Sequence, residues 1–421
     1  MQVFISDLHL TDGTSGITID ADAFKLLRDD LNDLIQKRGS KELRIVLLGD
    51  IFDIIRSTKW LASSVRPWSE AGPAQEAIVQ NIVDDIIIHN QQSLNWIKSL
   101  KQLVTTFDLQ YIIGNHDWLI NRYDSIVKTV ASALDITPPP AVFLEEISEP
   151  AYKTFARHGD KYDKTNYMKN RNESSIGDAI VIELLNKFPV EVGKKLPGLV
   201  ASGNITPKQM QTTVDELKEL DNVRPMSDIP SWMLKVLNHS STPIQQVIIE
   251  AWCECVDEFL KVDFVRKAAI FTVNKLWTKW RVFRYLPKFM LNIAAMPILG
   301  LQCLWEVRYD KKAWAEPMIH SKDAKYLYVI YGHTHEHTIV PMAQVRLSNG
   351  TEDKIYFNTG TWRQTWNKAV FDKGNIEFIG WKVLTYIAFY KENENEAQDG
   401  KNENEAQDKT HKFDVWNGAL G

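Results

Sequence analysis

Three histidines stand on alternate positions in "VIYGHTHEHTIV", residues 329 to 340: His333, His335 and His337, directly after an apolar run. A buried strand has no use for so many imidazoles. On an extended chain, alternation sends all three side chains to one face, and neutral imidazoles are common metal ligands. Other short apolar runs end in ligand-type residues as well. "VFISDLHL" carries Asp7 and His9, "LRIVLLGD" ends at Asp50, "LQYIIGNH" reaches Asn115 and His116, and "YKTFARHGD" reaches His158. Hard oxygen donors mixed with imidazoles, without a thiolate, suit divalent manganese, iron or zinc. One carboxylate, Asp50, can bridge two ions. A pair of ions about 3.5–4 Å apart can bind a bridging hydroxide and clamp both oxygens of an in-line phosphoryl displacement. Gly49, Gly114 and Gly332 each precede a ligand, where strand turns sharply into loop and ions or phosphate approach the backbone.

These residues resemble the calcineurin-like metallophosphoesterase family, whose five blocks stand here in order as "SDLHL", "GDIFD", "GNHDW", "HGD" and "GHTH". The match spans residues 5 to 335 and leaves out a long helical stretch and the tail. Any one block occurs by chance in many chains; five in order, each after an apolar run, are specific. The resemblance implies two divalent ions, with manganese first and iron or zinc as alternatives. One ion falls to Asp7, His9, Asp50 and His335, the other to Asp50, Asn115, His158 and His333. His116 takes the family's catalytic position, stabilising a phosphoryl oxygen or protonating the leaving group. Asp53 orients it, since an imidazole beside two dications needs an anion to stay protonated. His337 matches no ligand position. In motif style the chain is closest to the UDP-diacylglucosamine pyrophosphatase branch, yet it has His116 where that branch has arginine. The implied function is a two-metal phosphoester hydrolase, whether phosphomonoesterase or phosphodiesterase/pyrophosphatase. A catalytically silent scaffold on the same fold is the alternative, and a protein Ser/Thr phosphatase another.

The elements that must position these residues alternate between strand and helix. "DADAFKLLRDDLNDLIQKRGS" places Leu27, Leu31, Leu34 and Ile35 at helical spacing, with Gly39 as an end signal. A second helical pattern lies in "IVDDIIIHNQQSLNWIKSLKQ". This predicts an α/β core whose strands carry the site at their carboxyl ends; the resemblance implies a β-sandwich flanked by helices, in α/β/β/α layers. From residue 169 to 320 the texture is helical and broken by prolines, which predicts an inserted helical cap that selects substrate. The core is then 1–168 plus 321–390. "DKIYFNTGTW", "KAVFDK" and "NIEFIGWKVLTYIAFY" read as antiparallel strands completing a sheet. Residues 391–421, with "NENEAQD" twice, read as a solvated acidic tail.

Composition sets outer bounds. A net charge of −5 over 421 residues argues against a general nucleic-acid binder. Cys253, Cys255 and Cys303 form no C-x-x-C pair, so no thiolate zinc site or disulfide framework is expected. The opening "MQVFISDLHL" is already a strand, which predicts a cytoplasmic chain. Residues 261–288 carry eight basic residues and one acidic one among aromatics, which fits a peripheral membrane contact or a lipid-like or nucleotide substrate as well as an ordinary amphipathic helix. Residues 289–305 are apolar but broken by Pro297 and Gly300, a buried or interfacial helix pair rather than a membrane span. The loop after Asp53 brings Arg56, a candidate substrate-binding residue, with Lys59 and Arg66.

Overall fold

The computed structural model describes residues 1–16, 19–168, 170–269, 307–320, 325–347, 350–371, 376–391 and 411–420. Two mixed sheets and about ten helices make up the fold. The first sheet runs β3 (Thr106–Ile112), β2 (Glu42–Leu48), β1 (Gln2–Ile5), β11 (Phe378–Lys391), β10 (Gln364–Lys368), β6 (Val223–Arg224), with β12 (His411–Leu420) also on β11. β1, β2 and β3 are parallel, while β11 is antiparallel to β1, β10 and β12. The second sheet runs β4 (Glu146–Glu149), β5 (Thr154–Arg157), β7 (Tyr328–Tyr331), β9 (Gly350–Thr359), β8 (His337–Leu347).

Period-two alternation sets the layers. Phe4, Val46, Leu48, Ile387 and Phe389 of the first sheet share one apolar cluster with Ala156, Tyr328, Ile330 and Phe357 of the second. Their strand neighbours Val3, Ile5, Ile45 and Leu47 face the other way and pack with helix α1 (Ala21–Arg38) through Ala23, Phe24, Leu27 and Leu31. The outer face of the second sheet, with Phe155, Val329, Tyr331 and Tyr356, is covered by Ala313 and Ile319. Each fully buried side chain of this size contributes roughly 1.5–3 kcal/mol. Helix α1 starts where the Asp20 side chain accepts the Asp22 N–H and ends at Gly39, whose φ of 64° needs no Cβ penalty.

Several expectations change. The second helical pattern is two helices, α2 (Pro73–His89) and α3 (Gln91–Ser99), parted at Asn90, whose amide donates to the Thr11 and Ile86 carbonyls. Of "KAVFDK", only Lys368 is in a strand, as the last residue of "QTWNK"; residues 369–371 are not in one, and 372–373 lie outside the described residues. The tail is not solvated throughout, because residues 411–420 pair with β11 along its length; the duplicated segment lies outside the described residues. Within 170–269 the chain is mostly helical, yet it also gives β6, which pairs parallel with β10. The basic-aromatic segment is described only to residue 269, and the apolar run 289–305 lies outside the described residues. Among the described residues no helix is long and apolar enough to cross a membrane.

Candidate metal centre

Each strand that ends in a ligand-type residue delivers it to one place. Asp7 follows β1, Asp50 follows β2, Asn115 follows β3, His158 follows β5 and His333 follows β7. The loops after β1 and β2 run together: Asp7 and His9 donate their N–H groups to the Gly49 and Asp50 carbonyls, at 3.0 and 2.9 Å. Asp7, His9, Asp50, His333 and His335 all have φ between 47° and 71°. They are five of the seven non-glycine residues with positive φ among the described residues. Each costs on the order of 1–3 kcal/mol and persists only where its surroundings dictate it.

This corrects the alternation argument. Residues 332–336 form a turn between β7 and β8, so the three histidines do not share a strand face. His333 and His335 instead diverge. His335 Nε2 lies 3.3 Å from Asp7 Oδ1 and 2.9 Å from His9 Nε2. The His333 ring sits edge-on to that of His158, 5.3 Å between centroids, and groups with Asp50. His337 opens β8 opposite Thr359 and joins no group.

Among the described residues, three clusters have ligand atoms close enough to share an ion: Asp7–His9–His335, His9–Asp50–His116 and Asp50–His158–His333. Asp50 is central. Its Oδ1 accepts the His116 N–H at 2.8 Å, and its Oδ2 lies 3.2 Å from His158 Nε2 and 3.9 Å from His9 Nε2. Asp7 Oδ1, Asn115 Oδ1 and His158 Nε2 are buried without a hydrogen bond. Buried polar atoms are normally satisfied, and these three belong to the donor set that suits a hard divalent ion. The residues present therefore fit a cation.

Electrostatics point the same way. Burial raises the Asp7 carboxyl to about 6, helped by Asp50 and opposed by His158. For His158, burial works downward, but Asp50 and Asp7 outweigh it and raise the imidazole to about 10. The imidazolium supplies the positive charge that two adjacent buried carboxylates demand. Burial and Arg363 lower His9 to about 4, and burial with Arg224 holds His335 well below the usual imidazole range.

Asp53 is fully buried and serves two rings, with Oδ1 2.7 Å from His116 Nδ1 and Oδ2 2.7 Å from His9 Nδ1. Burial opposes charge on His116, yet Asp53 and Asp50 raise it to about 9. Asp117 accepts from the Ile51 and Gly114 N–H groups and the Tyr111 hydroxyl, tying the second loop to the third. Asp160 pairs with Arg171 through both oxygens. "NTGTW" is structural: Thr361 and Trp362 hold the Asp7 carbonyl, and Asn358 holds that of Gly332. Gly114 and Gly332 are small for a reason other than ligand approach, since a Cβ there would strike Asp50 and Asp7 themselves.

The cluster opens into a cavity of about 700 Å³. Asp50, Asn115 and His116 line it together with Asp163, Tyr309 and His333, and with Asp221, Arg224, His335 and Arg363. Ile180, Val181, Leu185 and Met226 add apolar surface. Arg56 does not line it: it is 2% exposed and lies 3.3 Å from Asp221, which corrects its expected substrate contact. Arg66 and Lys59 are spent on Glu183 and Asp85. Sequence reasoning missed Asp163, 3.2 Å from His333 Nε2, although it lies in the polar run after His158. It also missed Arg224 and Arg363, which no local pattern marks. A scan against protein-family models finds no match, and a search of curated proteins finds none either.

Proposed function

We propose that this chain is a two-metal-dependent phosphoric ester hydrolase of the calcineurin-like metallophosphoesterase type, with an α/β/β/α core and a helical insertion at 169–320. The observation that carries this reading is the trio of buried ligand-type atoms on Asp7, Asn115 and His158 that make no hydrogen bond, gathered around a shared Asp50. Asp7, His9, Asp50 and His335 would hold one divalent ion and Asp50, Asn115, His158 and His333 the other, with manganese preferred and iron or zinc as alternatives. When bound, such ions polarise a phosphoryl oxygen and supply a nucleophile near neutral pH.

The chain's own residues do the rest. His116, facing the cavity and raised to about 9, is protonated near neutral pH and able to give its proton to a departing oxygen. Asp53 fixes the ring through Nδ1, which leaves Nε2 to donate. Arg224 and Arg363 bring positive charge to a wall of the same cavity. The apolar surface of Ile180, Val181 and Leu185 excludes water from the leaving group's side.

The test is elemental analysis of the purified chain after manganese loading, with turnover of p-nitrophenyl phosphate and its bis ester. Two ions per chain and metal-dependent release of p-nitrophenol are expected. Two bound ions with silence on every ester and metal would leave a scaffold. No bound ion would remove the reading altogether.

A further inference from the structure

The part of the cavity lining that carries Arg224 and Arg363 holds more positive charge than its surroundings balance. Arg56, Arg224 and Arg363 converge on one buried carboxylate, Asp221. Arg363 reaches it with Nη1 and Nη2 at 3.3 and 3.2 Å and also donates to Asn222 Oδ1. Arg224 gives Nη1 to the Asp221 and Val223 carbonyls at 2.9 Å each, and Nη2 to His335 Nδ1 at 2.6 Å. That uses three of a guanidinium's five donors. The other nearby carboxylates are Glu336, exposed at the rim, Asp7, which belongs to the metal cluster beyond the His335 ring, and Asp53, committed to His9 and His116.

The energetics show the imbalance. Burial would raise Asp221, but Arg363, Arg56 and Arg224 overcome it and hold the carboxyl near 2. Burial and Arg56 lower Arg363 to about 10, even with Asp221 against it. Two guanidinium groups therefore repel across a single carboxylate in a region where unpaired charge is costly. Arg363 is 3% exposed and its Nε has no hydrogen bond. The position is rigid as well: Arg224 sits on β6, paired with Asn367 of β10, whose amide holds the Arg224 carbonyl.

Resting on the hydrolase reading, we infer that Arg224 and Arg363 form a second anion subsite that takes a non-scissile phosphate of the substrate, so that the substrate class carries two phosphates. Arg224 is separated from Asp7 by the His335 ring alone, since that ring touches Arg224 with Nδ1 and faces Asp7 with Nε2. A phosphate on the wall is therefore a near neighbour of one at the metal cluster. The fork of a guanidinium matches two phosphate oxygens at once, which a single carboxylate partner does not exhaust. A residue from the helical insertion thereby sets specificity at a site otherwise built by strand ends.

The experiment first measures manganese content and then titrates the loaded full chain with inorganic phosphate, imidodiphosphate and fructose 1,6-bisphosphate by calorimetry. The expected result is at least about tenfold tighter binding of one two-phosphate ligand than of phosphate. Preference for imidodiphosphate assigns directly linked phosphates; preference for the sugar bisphosphate assigns phosphates on a carbon skeleton. R224Q should bring the ratio to within about twofold while two ions stay bound, and R224K should keep part of it. The wild-type comparison stands even if a variant folds poorly. Equal affinity for all three ligands, or an unchanged ratio in R224Q, would overturn the subsite and leave the metal reading intact. Failure of manganese to bind at all would sink the hydrolase reading and the subsite with it.

Discussion

In the half of the cluster built from Asp7, His9 and His335, both imidazoles are tied from behind by charged side chains. His9 gives its Nδ1 proton to Asp53, while His335 accepts from Arg224 at Nδ1. In the half built from Asp50, Asn115, His158 and His333, His158 is tied by the Leu48 carbonyl at 2.9 Å and His333 by Asp163 at 3.2 Å, neither by an arginine, and His158 Nε2 and Asn115 Oδ1 make no hydrogen bond. The partner of one ring nitrogen decides the state of the other. A carboxylate behind His9 and a carbonyl behind His158 both put a proton on Nδ1 and direct Nε2 into the cluster. An arginine behind His335 does the opposite, placing the proton on Nε2, between His335 and His9 Nε2. An ion entering the His158 half replaces one positive charge with a larger one in the same spot. An ion entering the His335 half must also displace an arginine donor. The two halves should therefore fill in that order.

The largest effect tests whether the halves are one unit. Asp50→Ala removes the carboxylate that both share, so both binding steps should weaken and turnover should fall by more than about 100-fold. Metal content after gel filtration and p-nitrophenyl phosphate turnover measure it. Retention of one tight ion would show that the halves are independent.

His116 groups with His9 and Asp50, between the halves, and in the proposed hydrolysis it is the proton donor. His116→Ala should keep two ions while turnover drops roughly 10²–10⁴-fold, most for alkyl esters, whose leaving groups need the proton. Because Asp53 and Asp50 raise His116, its acid form is lost as pH rises, which gives a falling limb at or below about pH 9. Nearby dications lower that limb by repelling the proton. The limb should vanish in the variant; its persistence would assign the proton to another group.

Separating the halves comes next. His158→Ala and His335→Ala should each weaken one of two manganese steps by about 10–100-fold, the first variant acting on the tighter step and the second on the weaker. Isothermal titration reads both. If both variants weaken the same step, the division into halves is wrong.

The difference between the halves also marks what could be read from the chain. Asp7, Asp50, Asn115, His158 and His333 were legible because each ends a short apolar run, and strand ends converge in an open α/β sheet. The Asp53–His116 pair was legible through the resemblance and lies at 2.7 Å. The left-handed backbone at five ligand-type residues was not legible, because no glycine announces it and tertiary contacts impose it. Reading "GHTHEH" as extended failed for that reason. The arginine wall was invisible: Asp221 sits in a short 3-10 helix, Glu219–Asn222, Arg224 in the two-residue strand just after it, both inside a helical region, and Arg363 follows "NTGTW" with no periodic signal. Arg56 was chosen for its nearness to Asp53 in sequence, yet its chain turns it behind the wall.

The smallest effect is the sharpest on the comparison. If Arg224 holds His335 in the tautomer that opposes ligation, removing the donor should help the weaker half. A net hydrogen bond is worth roughly 0.5–1.5 kcal/mol, so R224Q should tighten the weaker manganese step by about two- to twelvefold. The His158 step has no contact with Arg224 and should move by less than about twofold, since independent sites rarely couple more. Gain of metal affinity on loss of an arginine would also be expected from reduced charge repulsion alone. R224K separates the two causes: it keeps the charge but not the planar fork that meets Nδ1. Tightening in both variants assigns the effect to the hydrogen bond, whereas tightening in R224Q alone assigns it to charge. No change in either would mean that His335 is already free to turn its proton, and the two halves would then differ only in their anchoring.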